Sequence, residues 1–174
     1  LIKPRTAVPP LHVKLVGGSD WKLEEQRPKQ FTMIVAYRGF HCPKCEIYLR
    51  ELDRLMGEFQ QRGVSVLAVS CDTLERGQLT QDDWGLQRVP LGYGMTILTA
   101  RAWGLCISIG RGKTSKGIEE PAQFSEPGLF LIRPDGTLYA AIISTMPFAR
   151  PNFKEILSAL DFILEKNYPA RGEA

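Results

Sequence analysis

Residues 31–59 read FTMIVAYRGFHCPKCEIYLRELDRLMGEF, and their pattern decides the fold. The first seven, Phe31 to Tyr37, are apolar, β-branched or aromatic and predict a buried strand. From Cys42 onward the spacing becomes helical: Tyr48, Leu52, Leu55, Met56 and Phe59 share one face, while Arg50, Glu51, Arg54 and Glu58 lie elsewhere. Two thiols, Cys42 and Cys45, therefore sit where a strand runs into a helix.

That placement has chemical consequences. Proline is favoured at the first helical position, so Pro43 makes Cys42 the expected N-cap and puts Cys45 in the first turn. A sulfur at Cys42 then faces unpaired backbone N–H groups and the positive end of the helix dipole, both of which favour the thiolate. Arg38, His41 and Lys44 are expected to add positive charge nearby. Such surroundings bring a cysteine from ~8.5 to roughly 3.5–7.5. Cys45, about one turn on, is placed to attack a mixed disulfide at Cys42 and release the substrate. The pair is expected to show dithiol chemistry, with Cys42 attacking and Cys45 resolving.

Outward from this stretch, Gly63 ends the helix and Val64-Ser-Val-Leu-Ala-Val-Ser70 reads as a second buried strand, giving a βαβ unit with a parallel pair. Upstream, residues 1–10 carry three prolines and predict an extended arm, and Leu11 to Val16 alternates as a first strand. The segment Ser19 to Gln30 is polar and predicts a turn or short helix. Downstream come a surface helix over 73–86, a short strand over 89–93, a helix over 95–105 and a long polar loop over 110–127. Leu129–Arg133, the turn Pro134-Asp-Gly136 and Leu138–Ile143 form a hairpin signal. An amphipathic helix over 152–165 closes the chain.

The 174 residues suit one domain, 1–174, and 44% hydrophobic content supplies an ordinary core. The net charge of +3 is scattered, which points away from nucleic acid and from an anionic membrane. No apolar run approaches the ~18 residues that span a bilayer. Four cysteines, two of them in a CxxC, fit a reducing compartment, so the expected location is the cytoplasm. Zinc wants two further ligands, and Cys71, Cys106, His12 and His41 are dispersed, so neither a metal nor a cofactor is expected. Cys71 is expected to behave as a buried hydrophobe. Gly112-Lys113-Thr114 is no phosphate loop, because Ile107 stands where its first glycine belongs.

A β-α-β half carrying CxxC, followed by a hairpin and a terminal helix, resembles the thioredoxin fold over most of the chain. The "YRGFHCPKC" junction, the insert after the second buried strand and "EPGLFLIRPDG" resemble the peroxiredoxin-like (AhpC/TSA) branch. The resemblance implies an α/β, thioredoxin-like fold: a central mixed β-sheet with helices on both faces and a peroxiredoxin-like insertion. It also implies antioxidant-type chemistry, in which the first thiol reduces a peroxide and a second resolves the sulfenic acid as a disulfide.

The family's Pro-x-x-x-Thr-x-x-Cys pattern is absent, Val35 and Gly39 standing in the proline and threonine slots before Cys42. Where the family places an arginine before the hairpin, this chain has Pro127, which thioredoxin resemblance reads as a cis-proline beside the CxxC. The leading expectation is a thiol–disulfide oxidoreductase acting on a disulfide-bearing protein or small thiol, recharged by a cellular thiol reductant. The alternatives are a peroxidase using Cys42, and a non-catalytic or zinc-holding module.

Overall fold

The computed structural model describes residues 1–174. Its centre is the strand β3 (Phe31–Ala36), with all six residues buried. It lies parallel to β4 (Val64–Val69) and antiparallel to β8 (Gly128–Ile132), with Ala36 opposite both Val69 and Gly128. The hairpin partner β9 (Leu138–Ile143) pairs antiparallel with β8 and so runs parallel to β3. On the other flank come β5 (Leu91–Tyr93), β1 (His12–Leu15) and β2 (Asp20–Lys22), completing a seven-stranded mixed sheet in the order β2-β1-β5-β4-β3-β8-β9.

The strand period of two splits the core into two layers. Phe31, Met33 and Val35 point to one face and pack with Leu49 and Leu52 of α1 (Pro43–Arg54), Phe59 of α2 (Met56–Gln61) and Phe153, Leu157 and Leu160 of α5 (Phe153–Lys166). Ile34 and Ala36 point to the other, against Ala100 of α4 (Ile97–Ala102), Trp103 and Trp21. The mixed sheet with helices on both faces matches the expected architecture. No helix is long and apolar enough to cross a membrane.

Several local expectations are corrected. The helix over 43–61 is two, broken at Leu55, where ψ is 4° and the amide reaches both the Glu51 and Leu52 carbonyls, the tighter pattern of a helix end. The polar stretch after Gly18 holds β2 and a 3-10 turn over Leu23–Glu25. The long loop over 110–127 is closed by a two-stranded ribbon, β6 (Ile107–Ile109) just before it with β7 (Gln123–Ser125) inside it, each too short to show alternation in sequence. The N-terminal arm is not fully extended but turns at residues 4–6, where Arg5 has φ +66° and the Thr6 amide donates to the Lys3 carbonyl. It is docked: the Leu138 amide donates to the Thr6 carbonyl, and Arg5 donates to the Ala170 carbonyl at 2.9 Å.

β3, β4 and β9 run the same way, so the segments after Ala36, Val69 and Ile143 emerge at one sheet edge. The start of β8, running oppositely, lies there too. Four stretches distant in sequence are thereby gathered around Cys42.

Candidate active site

Cys42 is the N-cap of α1 and Pro43 its first residue, as expected. Its backbone is extended (φ −95°, ψ 109°), and its Sγ accepts the Cys45 amide at 3.2 Å, satisfying one of the helix's orphan donors. Both thiols are free, 1% and 0% exposed respectively.

The segment after β9 supplies a cation that sequence reasoning missed. Arg150 Nη2 donates to Cys42 Sγ at 3.5 Å and to Cys45 Sγ at 3.3 Å, bridging the pair. Its Nε is fixed on the Pro147 carbonyl at 3.1 Å and its guanidinium lies 5.5 Å from the centre of the Tyr48 ring. Tyr48 is itself held by the Pro151 carbonyl at 2.7 Å and stacked on Phe153 at 4.2 Å. Arg150 Nη1 is buried with no hydrogen-bond partner. The available signal was topological: once β9 runs parallel to β3, an arginine just beyond its end falls beside the CxxC.

The two sulfurs are driven apart in acidity. The hydrogen bond with the Cys45 side chain, more than any other cause, brings Cys42 down to about 6; burial opposes this, and Arg150 and the Cys45 amide add to it. Cys45 is pushed well up, first by burial and then by the Cys42 sulfur. Burial works against the Arg150 charge, and the two sulfurs more than offset it. A thiolate at Cys42 beside a thiol at Cys45 is therefore the resting state near neutral pH.

Arg38 stands on the other side. Its Nε donates to Glu126 Oε2 at 3.0 Å, and Ser108 Oγ donates to Glu126 Oε1 at 2.6 Å. Burial opposes the Arg38 charge, while Glu126 and then Cys42 sustain it. The guanidinium also covers the Phe124 ring at 4.9 Å. A cavity of about 490 Å³, lined by Arg38, Pro43, Ser108, Phe124, Glu126 and Phe148 among others, adjoins this side.

Three expectations are revised. His41 contributes no charge: it is buried against Phe124 at 4.7 Å, both ring nitrogens lack partners, and burial followed by Arg38 and Arg76 pushes it down to about 4. Lys44 projects into solvent and makes no hydrogen bond or ion pair. The peptide bond before Pro127 is trans. Its neighbour Glu126 is occupied on both sides, its amide donating to the Cys106 carbonyl at 2.7 Å and its carboxylate holding Arg38. The backbone there is committed to the β6–β7 ribbon and is not free for a partner chain. Cys71 is half-buried, and burial raises its thiol.

The AhpC/TSA family profile matches residues 4–141. A curated relative, the 1-Cys peroxiredoxin of Dirofilaria immitis, is 26% identical over 157 residues, covering 84% of this chain and 62% of that protein. The chain thus spans less than two thirds of that relative's length. Among solved structures, peroxiredoxin 6 of Arenicola marina superposes with a TM-score of 0.76 at 21% identity, over 96% of this chain and 76% of that one. The peroxidoxin BcpB of Mycobacterium tuberculosis gives 0.72 at 18%, over 94% and 99%. These structural likenesses concern the fold.

Proposed function

Because the chain belongs to the AhpC/TSA family, we propose that it is a thiol peroxidase in which Cys42 is the attacking thiolate and Cys45 the resolving thiol. The observation that carries this reading is Arg150, which bridges both sulfurs and keeps one donor, Nη1, unpartnered. Without the family's threonine, and with Pro127 in the arginine slot, the sequence offered only Arg38 to polarise a peroxide. Arg150 supplies a fixed, half-buried cation from another part of the chain.

In the first step the Cys42 thiolate displaces the leaving oxygen of a hydroperoxide. The S–O bond forms as O–O breaks, and the alkoxide or hydroxide takes a proton, giving Cys42 sulfenic acid and an alcohol or water. Negative charge moves from sulfur to the departing oxygen, and the unpartnered Nη1 of Arg150 is the donor available to stabilise it. In the second step Cys45 attacks the sulfenic sulfur, expelling the hydroxyl as water with the Cys45 proton and leaving a Cys42–Cys45 disulfide. Two thiols of a cellular reductant then restore the pair. A reducing compartment such as the cytoplasm suits this cycle.

The second reading is a disulfide reductase, favoured by the resolving thiol only one helical turn away. Against it stands the commitment of the Glu126 amide to Cys106, which denies an extended partner its backbone pairing. Stopped-flow mixing of the reduced protein with hydrogen peroxide or an alkyl hydroperoxide, beside exchange with dithionitrobenzoate or insulin, separates the two. Rapid peroxide consumption abolished by Cys42→Ser is the expected result. Negligible peroxide consumption with efficient disulfide exchange would reverse the assignment.

A further inference from the structure

Behind the Cys42 loop lies a carboxylate that the cycle above does not use. Asp72, just past β4, is 3% exposed. Its amide is held by Ser70 Oγ at 3.1 Å, its Oδ2 accepts the Phe40 amide at 2.8 Å, and its Oδ1 is buried without a partner. Gly39 records how closely the loop wraps this group. Its φ is +140°, and a Cβ there would stand 2.8 Å from Oδ1, 3.0 Å from Oδ2 and 3.0 Å from His41 Nδ1. Only glycine leaves that room. The two residues that follow Phe40 are His41 and Cys42, so the carboxylate grips the chain immediately before the nucleophile.

We propose that Asp72 is a positioning residue for the Cys42 thiolate: by holding the Phe40 amide it keeps Cys42 in the N-cap geometry that lets the sulfur accept the Cys45 amide. This rests on Cys42 being the reacting thiol, not on which oxidant it meets. An ionised acceptor makes a hydrogen bond roughly twice as strong as a neutral one, so the grip depends on the charge of Asp72. The groups facing that carboxylate are Tyr37 from the end of β3, His41 from the loop, Cys71 beside it and Arg76 from α3 (Leu74–Asp83). Burial pushes Asp72 up to about 6, against the Phe40 amide and Arg76. Cys42 titrates in the same range, so the two protonations reinforce each other: neutral Asp72 loosens the loop, and a loosened loop holds its thiolate less well.

The test reads Cys42 by its rate of alkylation with iodoacetamide as a function of pH, which is independent of any peroxide chemistry. Asp72→Asn keeps the size and an acceptor but cannot ionise. It should raise the Cys42 titration; one weakened hydrogen bond to a charged group, acting on a thiol already half protonated at pH 6, should slow alkylation there by about threefold to fivefold. Alkylation of the variant and wild-type protein should converge by pH 9. Gly39→Ala, whose methyl would meet Oδ1, should shift the titration in the same direction. A carboxylate acting only through space predicts the opposite, because removing a negative charge beside a thiolate favours it. Faster alkylation of Asp72→Asn, or an unchanged profile, overturns the proposal. Should that variant not fold by circular dichroism, Gly39→Ala decides in the same way. Failure of the peroxidase reading would show separately, as wild-type protein that alkylates at Cys42 but consumes no peroxide.

Discussion

Arg150 is the residue on which the chemistry of Cys42 turns. Replacing it by alanine removes the cation between the sulfurs and leaves Cys42 its contacts with Cys45 and the charge of Arg38. We expect the peroxide rate of Arg150→Ala to fall by about 10²–10³-fold, the usual scale for a lost charge-stabilising donor. Arg150→Lys, a point charge without the fork, should fall between the two. Stopped-flow rates on the three proteins decide this. The same residues set the pH dependence. Cys42 is held down to about 6, so the wild-type rate should be full well above that value and decline as pH drops through it. In Arg150→Ala the decline should begin at higher pH, since the lost cation favoured the thiolate.

At the scale of elements, the helix start is the clearest product of local sequence. Pro43 after Cys42, with the apolar face of Leu49 and Leu52 beyond, builds α1 and its cap from neighbouring residues alone. The buried strands β3 and β4 were equally legible, because a short, mostly apolar and β-branched run bounded by turn residues has few other uses. What was not legible lay in elements of three residues, β2, β6 and β7, which are too short to display a period. Nor was the site's full charge pattern, since Arg150 and Glu126 acquire meaning only when β8 and β9 bring them to Cys42. His41 misled for a related reason: proximity in sequence suggested a charge, and burial removed it.

The last helix ties these scales together. Asn152 caps α5, its Oδ1 accepting the Lys154 amide at 2.8 Å, two residues beyond Arg150. Asn152→Ala should cost about 0.5–2 kcal/mol of stability in denaturant titration. It should also slow peroxide reduction, because the cap anchors the segment that presents Arg150.

For the whole molecule, the thiolate links redox chemistry to stability. The folded Cys42 titrates below an unfolded cysteine, so its contribution is fully present above the unfolded value and is lost as pH falls through about 6. Reduced wild-type protein should therefore gain stability over Cys42→Ser as pH rises from 6 to 9, with the gap closing below that window. Thermal melts of both proteins across pH measure it, and parallel curves would contradict the assignment. Burial raises Asp72, so this group acts in the opposite sense: its ionisation costs stability as pH rises from about 4 to 6. That cost is complete near pH 6, below the window from 6 to 9 in which the two proteins are compared.

Arg150 follows Cys42 by 108 positions in the chain. A ribosome adding about 5–20 residues per second needs roughly 5–20 s to cover that interval. Throughout it the emerging cysteine lacks the arginine that bridges it to Cys45. The bridged pair is therefore assembled only after the strand Leu138–Ile143 and the segment beyond it have been made.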